Sequence, residues 1–537
     1  MGSAGGSLSM DETRQVSPGE IRLVIAASSL GTAFEWYDFY VYGTLAALFG
    51  KMFFPGGSAA TGFLLALATF GVGFAVRPLG AALFGSLGDR LGRKYTFLVT
   101  ITLMGLATAG MGLLQGYEQI GIAAPILLVT LRALQGLAVG GEYGGAAIYV
   151  AEHAPPEKRG FYTGFIQVGA SSGFMLSLLV VLVTSSLLGE QAWTEWGWRI
   201  PFLFSLVLLA ISLWVRLKLS ESPVFRDLQA AGEASRNPLR ESFNTWPKLK
   251  RLLAVTLGIA AGQSIVGYVS MIQILNFLQI TQHVDATVTR LILIVTLIIG
   301  ALAALFVAWL SDRMGRKKLV VWAYVLFLIL LFPSFHFVAG QANPALEAAS
   351  RDHPVVVTGS DCSYNPFAQS GQATACGKLL DALSKTGVPY SKVDAAPGTA
   401  PTVTIGGVAV DASKPQVLDA ALEAAGYVRG SVTPDLTAIL MIGLGIIPLA
   451  LLGGMTYGPV ASWMVELFPT RLRYTSLAVP YNVGVGYFAG FMPFIVQYIV
   501  ARTGDPFAGF WYPFGMVVIA LIVALVALPE TAGKALD

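Results

Sequence analysis

The sequence predicts an all-α membrane protein of twelve transmembrane helices in two six-helix halves, with a small α/β insert between helices 9 and 10. The prediction rests on an apolar composition, twelve long apolar runs and an internal repeat. The 537 residues are 55% hydrophobic and 12% charged, with a mean hydropathy of +0.67, whereas soluble proteins carry about 25% charged residues. The net charge of +3 indicates no nucleic-acid partner, because no basic run resembles a nucleic-acid footprint.

Twelve apolar runs are long enough to cross about 30 Å of hydrocarbon. We number them spans 1 to 12. The first six cover residues 22–49, 61–86, 95–115, 123–150, 161–187 and 199–218. The second six cover residues 252–280, 288–310, 319–339, 433–464, 474–501 and 508–528.

The internal repeat is carried by two charged motifs. Residues 85–94 (GSLGDRLGRK) follow span 2, and the similar residues 308–317 (AWLSDRMGRK) follow span 8, 223 residues later. A second motif, Glu152 with Pro155 and Arg159, recurs 314 residues later as Glu466, Pro469 and Arg473. An offset of this length is too long for a soluble repeat unit and fits half of a large membrane bundle. The second half has therefore gained about 91 residues between its two motifs, in line with a large insertion in a repeat unit.

The distribution of basic residues predicts the orientation. Arginines and lysines concentrate in the loops that hold the repeated motifs and in the middle loop, so the positive-inside rule puts these loops and both termini in the cytoplasm. Seven segments follow from the spans and this orientation. They are 1–20, an added tag and a disordered N-terminus; 21–218, the N-terminal six-helix bundle; 219–250, the cytoplasmic middle loop; 251–339, helices 7–9; 340–430, the extracytoplasmic insert; 431–528, helices 10–12; and 529–537, a cytoplasmic tail.

The insert has its own secondary-structure pattern. Residues Val355–Thr358 and Pro401–Val410 are strand-like, and Gly377–Lys385 and Pro415–Ala425 are helix-like, which predicts a small α/β domain that modulates access to the outer mouth. It also contains both cysteines of the chain, Cys362 and Cys376. A disulfide between them is plausible because the outer compartment is oxidising; two unpaired thiols are the alternative. A thiol-redox enzyme is less favoured, since there is no CxxC motif and no basic neighbour to activate either thiol.

The repeated motifs predict a charged gate at the cytoplasmic surface. Carboxylates there can accept hydrogen bonds from helix N-termini, and arginines can pair with carboxylates of neighbouring helices. Plain positive-inside anchoring would explain the basic residues, but not the recurring aspartate and glycine. The candidate gate residues are Gly85, Asp89, Arg90, Gly92, Arg93, Glu152, Arg159, Asp312, Arg313, Arg316, Glu466 and Arg473.

Further motifs point to a family. The duplicated GxxxDRxGRK pattern in a six-plus-six chain resembles the major facilitator superfamily. More specific segments are residues 31–43 (GTAFEWYDFYVYG), 77–80 (RPLG), 132–145 (RALQGLAVGGEYGG), 197–202 (GWRIPF) and 221–223 (ESP). In combination they are similar to the metabolite:proton symporter family, which includes permeases for proline and betaine, shikimate, α-ketoglutarate and citrate. The resemblance covers all twelve spans but not the insert.

Ionisable residues within membrane spans are candidates for function, because they cost about 2.5–3.5 kcal/mol each on insertion scales. The first half has five: Glu35, Asp38, Arg77, Arg132 and Glu142. Depth along the helices suggests that Asp38 pairs with Arg132 and Glu142 with Arg77, either for function or as static ion pairs. An unpaired carboxylate in an apolar span favours its protonated form and can load and release a proton. Glu35, Asp38 and Glu142 are therefore the predicted proton-coupling residues.

The resemblance implies secondary active transport: proton symport of a small carboxylate-bearing metabolite, such as an organic acid, by alternating access. Arg132 is the strongest candidate for the carboxylate partner, through a bidentate guanidinium fork. A zwitterionic osmolyte such as betaine or proline, held by cation–π contacts with Trp36, Tyr37 and Tyr40, is the alternative substrate. Predicted substrate-binding residues are Arg132, Arg77, Trp36, Tyr37, Tyr40, Gln135, Tyr268, Gln273, Asn276, Tyr481 and Asn482.

Other functions are less favoured. A membrane sensor that uses the insert as its ligand module is a second class, and sodium is the alternative coupling ion. The chain has only four histidines and two cysteines, and they form no catalytic or metal-binding constellation, so we expect no enzyme activity, no metal and no cofactor. The expected partners are the small-molecule substrate, a proton and the lipid bilayer of the cell (inner) membrane, in which the chain functions as a monomer.

Overall fold

The computed structural model describes most of the chain. The described residues are 18–55, 59–91, 93–141, 147–148, 150–151, 154–218, 238–367, 372–386, 388–411, 414–427, 430–469 and 473–534. Within these ranges the description leaves out the side chains of residues 18–24, 26, 27, 59, 85–91, 93, 94, 97, 216, 218, 238, 239, 385, 386 and 415.

Helices occupy all twelve predicted spans. In the first half they are Pro18–Thr44, Ala59–Ala75 with Arg77–Leu91, Arg93–Gly112, Ala123–Gly140, Arg159–Ala192 and Arg199–Lys218. In the second half they are Trp246–Thr281, Ala286–Met314, Arg316–Ala342, Leu436–Glu466, Arg473–Thr503 and Ala508–Ala527. Within the described residues, nine helices are long and apolar enough to cross a membrane. Spans 1, 3 and 6 complete the twelve; spans 3 and 6 contain the shorter apolar helices Leu98–Gly112 and Arg199–Val215.

The two halves meet mainly where span 2 packs on span 11 and where span 5 packs on spans 8 and 10. We call the end of the bundle that holds Met314 and Glu466 the latch end, and the opposite end the insert end. The halves touch at both. At the insert end, Arg290 Nη1 of span 8 donates to Ser185 Oγ of span 5 at 3.4 Å. At the latch end, Gly160 N of span 5 donates to Asp312 Oδ1 of span 8 at 2.8 Å.

Glycines allow spans 2 and 4 to approach closely, as small residues do in membrane bundles. A Cβ on Gly136 would overlap the carbonyl oxygen of Gly73, and one on Gly140 would overlap that of Arg77. These glycines of span 4 therefore serve packing. The close fit also fixes the position of the adjoining Arg77 relative to span 4.

Spans 7 and 11 are irregular helices at the centre of the bundle. Span 7 contains π-helical turns at Thr256–Ala261, Val269–Gln273 and Phe277–Thr281, and span 11 contains one at Gly484–Ala489. Such turns in α-helices are frequent at functional sites. Two of these turns flank Tyr268 in span 7, and the turn in span 11 follows Asn482; both polar residues reach toward the first half.

Local sequence explains several helix ends. Asp285 caps span 8 by accepting from Thr287 N and Val288 N, and Asp435 caps span 10 by accepting from Ala438 N. The turn from span 8 to span 9 is a single glycine, Gly315, at φ 102°. This left-handed conformation suits glycine and explains why glycine occupies this position of the repeated motif.

The insert is a small mixed sheet flanked by helices. Its strands are β1 (Val355–Gly359), β2 (Ser391–Asp394), β3 (Thr402–Ile405) and β4 (Val408–Val410), in the order β2-β1-β3-β4. Strand β1 is parallel to β2 and antiparallel to β3, which is antiparallel to β4. Its helices are α1 (Pro344–Asp352), α2 (Ala375–Thr386) and α3 (Pro415–Ala424). They cover an apolar core of their own, which includes Val357, Leu380 and Leu422.

Two details of the insert differ from the sequence prediction. The strand predicted over 401–410 is a hairpin, β3 and β4, that turns at Gly406 and Gly407 with φ of 56° and 81°. Strand β2 was not predicted, because its four residues are mostly polar and exposed. The disulfide is present and joins Cys362 to Cys376 with a Cα–Cα distance of 4.9 Å.

Candidate functional site

A cage of aromatic side chains lies where the two halves meet. Trp36 and Tyr40 are one turn apart on span 1, and their rings stack at 5.2 Å. The ring of Tyr268 on span 7 contacts those of Tyr40 and Phe74, with centroids 6.2 Å and 5.6 Å away. All four side chains are buried. The cage therefore contains rings from both halves, so its geometry depends on the relative position of the halves.

Two further tyrosines belong to this group. Tyr481 on span 11 and Tyr457 on span 10 are close enough to Tyr40 and Tyr268 to interact with them electrostatically. Tyr481 was predicted from the sequence, but Tyr457 was not. A tyrosine beside a glycine, Gly458, in an otherwise apolar span is the signal that would have indicated it.

Arg77 is the cation of the cage. Its guanidinium lies over the rings of Trp36 and Phe74, 5.2 Å and 5.3 Å from their centroids. Its Nε donates to Asn482 Oδ1 of the other half at 3.0 Å. The side chain is fully buried, and neither Nη1 nor Nη2 has a hydrogen-bond partner among the described residues. A buried guanidinium with two open donors is a binding group for an anion. The predicted partner of Arg77, Glu142, lies outside the described residues.

Arg132, the predicted carboxylate ligand, is held by its own half. Its Nη1 donates to Phe39 O at 3.3 Å and to Gln135 Oε1, and its Nη2 donates to Phe70 O at 3.3 Å. Its guanidinium also lies among three rings, with centroid distances of 4.2 Å to Phe39, 4.6 Å to Tyr42 and 5.2 Å to Phe70. Both terminal nitrogens are engaged, so Arg132 braces spans 1, 2 and 4 and offers no open pair of terminal nitrogens; only its Nε has no partner among the described residues.

The predicted ion pair between Arg132 and Asp38 is not formed. Gln135 stands between them: its Nε2 donates to the backbone oxygen of Asp38 at 2.7 Å and to Thr108 Oγ1 at 2.6 Å, while its Oε1 accepts from Arg132. The prediction failed because depth along two helices does not give the direction in which each side chain points. Gln135, predicted to bind substrate, is a buried link inside the first half.

Glu35 and Asp38 face away from the cage. Together with Met104 of span 3 and Ser212 of span 6, they line a narrow cavity inside the first half. Both carboxyl groups are buried, and Asp38 Oδ1 has no hydrogen-bond partner among the described residues. The third predicted acid, Glu142, is not described. A site for a proton at Asp38 would thus be separate from the aromatic cage, on the other side of span 1.

The remaining predicted substrate residues divide into two groups. Tyr37 belongs to the fold, because its hydroxyl donates to Pro201 O of span 6 at 2.6 Å and its ring packs on Phe204. Gln273 and Asn276 are buried in span 7, and each has one polar atom without a partner among the described residues. These two lie toward the insert end from Tyr268 and are available to a ligand that enters from that side.

The latch end holds a buried charge network between the halves. Asp312 accepts from the backbone of Gly160 and Phe161 at 2.8 Å and 2.9 Å, and so caps span 5 of the other half. Arg316 Nη2 lies 2.8 Å from Asp312 and 3.2 Å from Glu466. Arg159, from the first half, lies 3.1 Å from Glu466. We call Arg159, Asp312, Arg316 and Glu466 the latch.

The other predicted gate residues differ in their placement. Arg313 is exposed and stacks on the ring of Trp309 at 4.1 Å, so it is not part of the latch. Arg473 is buried, and its Nε donates to Phe468 O at 3.0 Å. The rest fall on residues or side chains outside the described part of the chain, namely Gly85, Asp89, Arg90, Gly92, Arg93 and Glu152.

Comparison with known proteins gives consistent results. Residues 23–257 match the family model "Sugar (and other) transporter". The chain is 30% identical to the glycine betaine/proline/ectoine/pipecolic acid transporter OusA of Dickeya dadantii, over 98% of this chain and 87% of that protein. It is 40% identical to the shikimate transporter of Escherichia coli, over 63% of this chain and 75% of that protein.

A solved structure shares the fold. The xylose transporter XylE from E. coli, in a partially occluded inward-open conformation, superposes with a TM-score of 0.60. The alignment covers 96% of this chain and 99% of the other at 16% sequence identity. At that identity the similarity supports the fold and says nothing about the substrate.

Proposed function

Because this chain belongs to the major facilitator superfamily of membrane transporters, we propose that it carries a small carboxylate-bearing metabolite together with a proton by alternating access. The observation that carries this proposal is Arg77. It is buried between the halves, its Nε is engaged by Asn482, and its two terminal nitrogens have no partner among the described residues. A carboxylate fits these two nitrogens in a bidentate fork.

The relatives are consistent with a carboxylate. Glycine betaine and proline, in the names of the first relatives, and shikimate, in the name of another, are different compounds that share a carboxylate group. A common anchor for that group, with variable surroundings for the rest of the molecule, accounts for such a range. We favour an organic acid, since Arg77 is the one formal charge of the cage within the described residues.

A zwitterionic osmolyte is the second candidate, and a specific contact favours it. The stacked rings of Trp36 and Tyr40 adjoin Arg77, and aromatic faces bind quaternary ammonium groups through cation–π contacts. A betaine would place its carboxylate on Arg77 and its ammonium group on the ring pair. If the substrate instead places an uncharged ring or an apolar chain against Trp36 and Tyr40, it belongs to the organic acids.

Proton coupling is assigned to the buried acids of span 1. A buried carboxyl group without a full set of hydrogen bonds favours the neutral form, so Asp38 can take up a proton when its cavity opens to one side of the membrane. Glu35 shares the same cavity. Gln135 joins the backbone oxygen of Asp38 to Arg132, so a shift of span 1 at Asp38 on proton uptake would be passed to the packing of spans 1, 2 and 4.

The positive-inside rule supports an orientation in which the latch end and both termini face the cytoplasm and the insert faces outward. As the halves rock, the latch closes the cytoplasmic side in one state, and the contact of span 2 with span 11 closes the outer side in the other. The chain acts as a monomer with one substrate path between its own halves.

Uptake into proteoliposomes tests the function. Purified protein is reconstituted and supplied with radiolabelled shikimate or glycine betaine, with and without an inward proton gradient. Accumulation of one compound only with the gradient, abolished by a protonophore, supports the proposal, and the compound that accumulates selects between the two substrate classes. If a sodium gradient without a proton gradient drives the compound to the same level of accumulation, proton coupling is refuted.

A further inference from the structure

A short loop of the insert contacts both halves of the transporter. In the first half, Thr61 Oγ1 at the start of span 2 donates to Pro366 O at 2.7 Å. In the second half, the ring of Phe367 stacks on those of Phe494 and Tyr498 of span 11, with centroids 6.2 Å and 6.0 Å away. Two consecutive residues of the loop are thus bound to opposite sides of the interface.

Spans 2 and 11 form one of the contacts between the halves at the insert end and must separate if this end is to open between them. Their close contact continues below the loop, where a Cβ on Gly71 would lie 2.5 Å from the ring of Phe491 and one on Gly486 would lie 2.6 Å from Phe74 O. Separation of the two spans would break either the bond from Thr61 or the stack on Phe494 and Tyr498. The loop therefore opposes opening at this end.

The disulfide closes this loop. Cys362 follows strand β1 and Cys376 lies in the first turn of α2, so residues 366 and 367 fall within the ring that the bond completes. Helix α2 itself lies against span 2. Within the loop, Gln372 exchanges two hydrogen bonds with the backbone of Asn365, at 3.0 Å and 2.7 Å.

The rest of the insert is fastened to the second half without the disulfide. Tyr390 N donates to Gly504 O at 3.1 Å, and Lys392 Nζ donates to Arg502 O at 2.6 Å. Both bonds join the start of strand β2 to the end of span 11. Loss of the disulfide would leave this attachment in place and free the part of the insert that reaches the first half.

We propose that residues 362–367, tied to helix α2 by the disulfide of Cys362 and Cys376, form a clip that fastens the outer ends of spans 2 and 11, and that thiol exchange at this disulfide releases the clip. The reactant is a small-molecule thiol or a dithiol protein of the outer compartment. Transport activity then responds to the thiol–disulfide balance of that compartment.

The positions of the two sulfur atoms suit the exchange. Cys362 is partly exposed, whereas Cys376 is 1% exposed. A thiolate attacks Cys362 Sγ, forms a mixed disulfide and expels the Cys376 thiolate; a second thiolate attacks the sulfur of the bound thiol and releases the Cys362 thiolate. Two external thiols are oxidised to one disulfide, and the protein disulfide is reduced to two thiols.

The leaving thiolate is at a helix N-terminus. Thr374 caps α2, its Oγ1 accepting from Gly377 N at 2.9 Å, and the intervening Cys376 is in the first turn. The positive end of the helix dipole offsets part of the cost of forming a thiolate at this buried position. Sequence alone does not indicate a reactive disulfide here, because neither cysteine has a basic neighbour and no CxxC motif is present.

Hydrogen–deuterium exchange of the full-length protein in lipid nanodiscs tests the proposal without a transport substrate, so its failure would be distinguishable from failure of the proposed function. Dithiothreitol is expected to raise exchange about tenfold in the outer ends of span 2 (61–70) and span 11 (491–503), since contacts of the clip are lost. Phe367→Ala, with the disulfide intact, is expected to raise exchange in the same peptides without reductant.

Two controls complete the experiment. The double variant Cys362→Ser/Cys376→Ser is expected to show raised exchange in the same peptides of spans 2 and 11, both with and without dithiothreitol. Val408→Ala, on the exposed hairpin of the insert, is expected to behave like the wild type. If reduction raises exchange in the insert alone, or if Phe367→Ala leaves spans 2 and 11 unchanged, the clip is refuted.

Discussion

The Nε of Arg77 on span 2 donates to Oδ1 of Asn482 on span 11 at 3.0 Å. This bond joins the two halves in the middle of the bundle, where the rings of Trp36 and Phe74 cover the same guanidinium. Asn482 also donates to Gly140 O of span 4 at 3.1 Å. Movement of one half against the other therefore changes the surroundings of Arg77, as expected for a group that binds substrate differently in the two states.

Arg77→Lys is expected to lower uptake of the transported carboxylate about 30- to 100-fold, because a lysine keeps the charge but cannot form the bidentate fork or hold Asn482 at the same time. Initial rates in proteoliposomes measure the loss. The thermal unfolding midpoint should remain near that of the wild type, which separates loss of binding from loss of fold. Normal rates in this variant would show that Arg77 supplies charge alone.

Arg132→Lys is the matched comparison on span 4. Arg132 donates to Phe39 O, Phe70 O and Gln135 and stacks on three rings, so the substitution removes a brace of the first half. We expect a lower thermal unfolding midpoint, by several degrees, with a retained Michaelis constant in the protein that remains folded. A raised Michaelis constant at unchanged thermal stability would instead assign the carboxylate to Arg132.

Asp38→Asn is expected to abolish accumulation driven by a proton gradient and to leave exchange of labelled for unlabelled substrate intact. The reason is that an amide fills the same space but cannot take up and release a proton. Glu35→Gln tests the second acid of the cavity, and Ser212→Ala, which removes a polar but not ionisable neighbour, serves as the control. Gradient-driven accumulation by both acid variants would refute the assignment of coupling to span 1.

Asp312→Asn is expected to shift the protein toward the state that is open at the latch end, since it weakens both the cap on span 5 and the pair with Arg316. The rate at which N-ethylmaleimide modifies a cysteine at position 478, on the latch-end half of span 11, should rise about tenfold. Arg313→Gln, at an exposed arginine outside the latch, should leave the rate unchanged. Equal modification rates in the parent protein, Asp312→Asn and Arg313→Gln would show that the latch residues only anchor the helix ends at the membrane surface.

Labelling of intact cells tests the orientation. A membrane-impermeant maleimide is expected to modify Cys362 and Cys376 only after reduction, because they are joined in a disulfide and the proposed orientation places the insert outside. Modification without reduction would show that the cysteines are free in the cell. Modification only after the membrane is permeabilised would reverse the proposed topology.

Much of the fold follows from the sequence. Long apolar runs locate the twelve helices, because hydrocarbon demands about 20 apolar residues per crossing, and the repeat divides them into halves. In the insert, the apolar strand β1 and helices α2 and α3 are evident from their patterns. Strand β2 is not, since its four mostly polar residues are fixed by pairing with β1 and by bonds to span 11, both of which are long-range.

The candidate site was predictable only in part. Helical periodicity gives the face that a residue shares with others, but not the helix that the face meets. Trp36 and Tyr40 therefore turned out to line the cage while Tyr37, next in sequence, bonds to span 6. Likewise, Asp38 and Arg132 lie at similar depth, yet Gln135 separates them. Whether the terminal nitrogens of an arginine lack hydrogen-bond partners depends on every residue packed around it, and a single sequence does not specify which residues those are.

The central claim, that Arg77 anchors the carboxylate of the substrate, is tested most directly by comparing each acid with its carboxamide. Uptake of labelled shikimate and glycine betaine, and of their carboxamides, is measured in proteoliposomes with wild-type protein and Arg77→Lys. If Arg77 anchors the carboxylate, the wild type carries one of the acids and discriminates against its carboxamide by about 100-fold or more, and Arg77→Lys loses most of this discrimination. Equal transport of acid and carboxamide by the wild type, or full discrimination by Arg77→Lys, would contradict this role of Arg77.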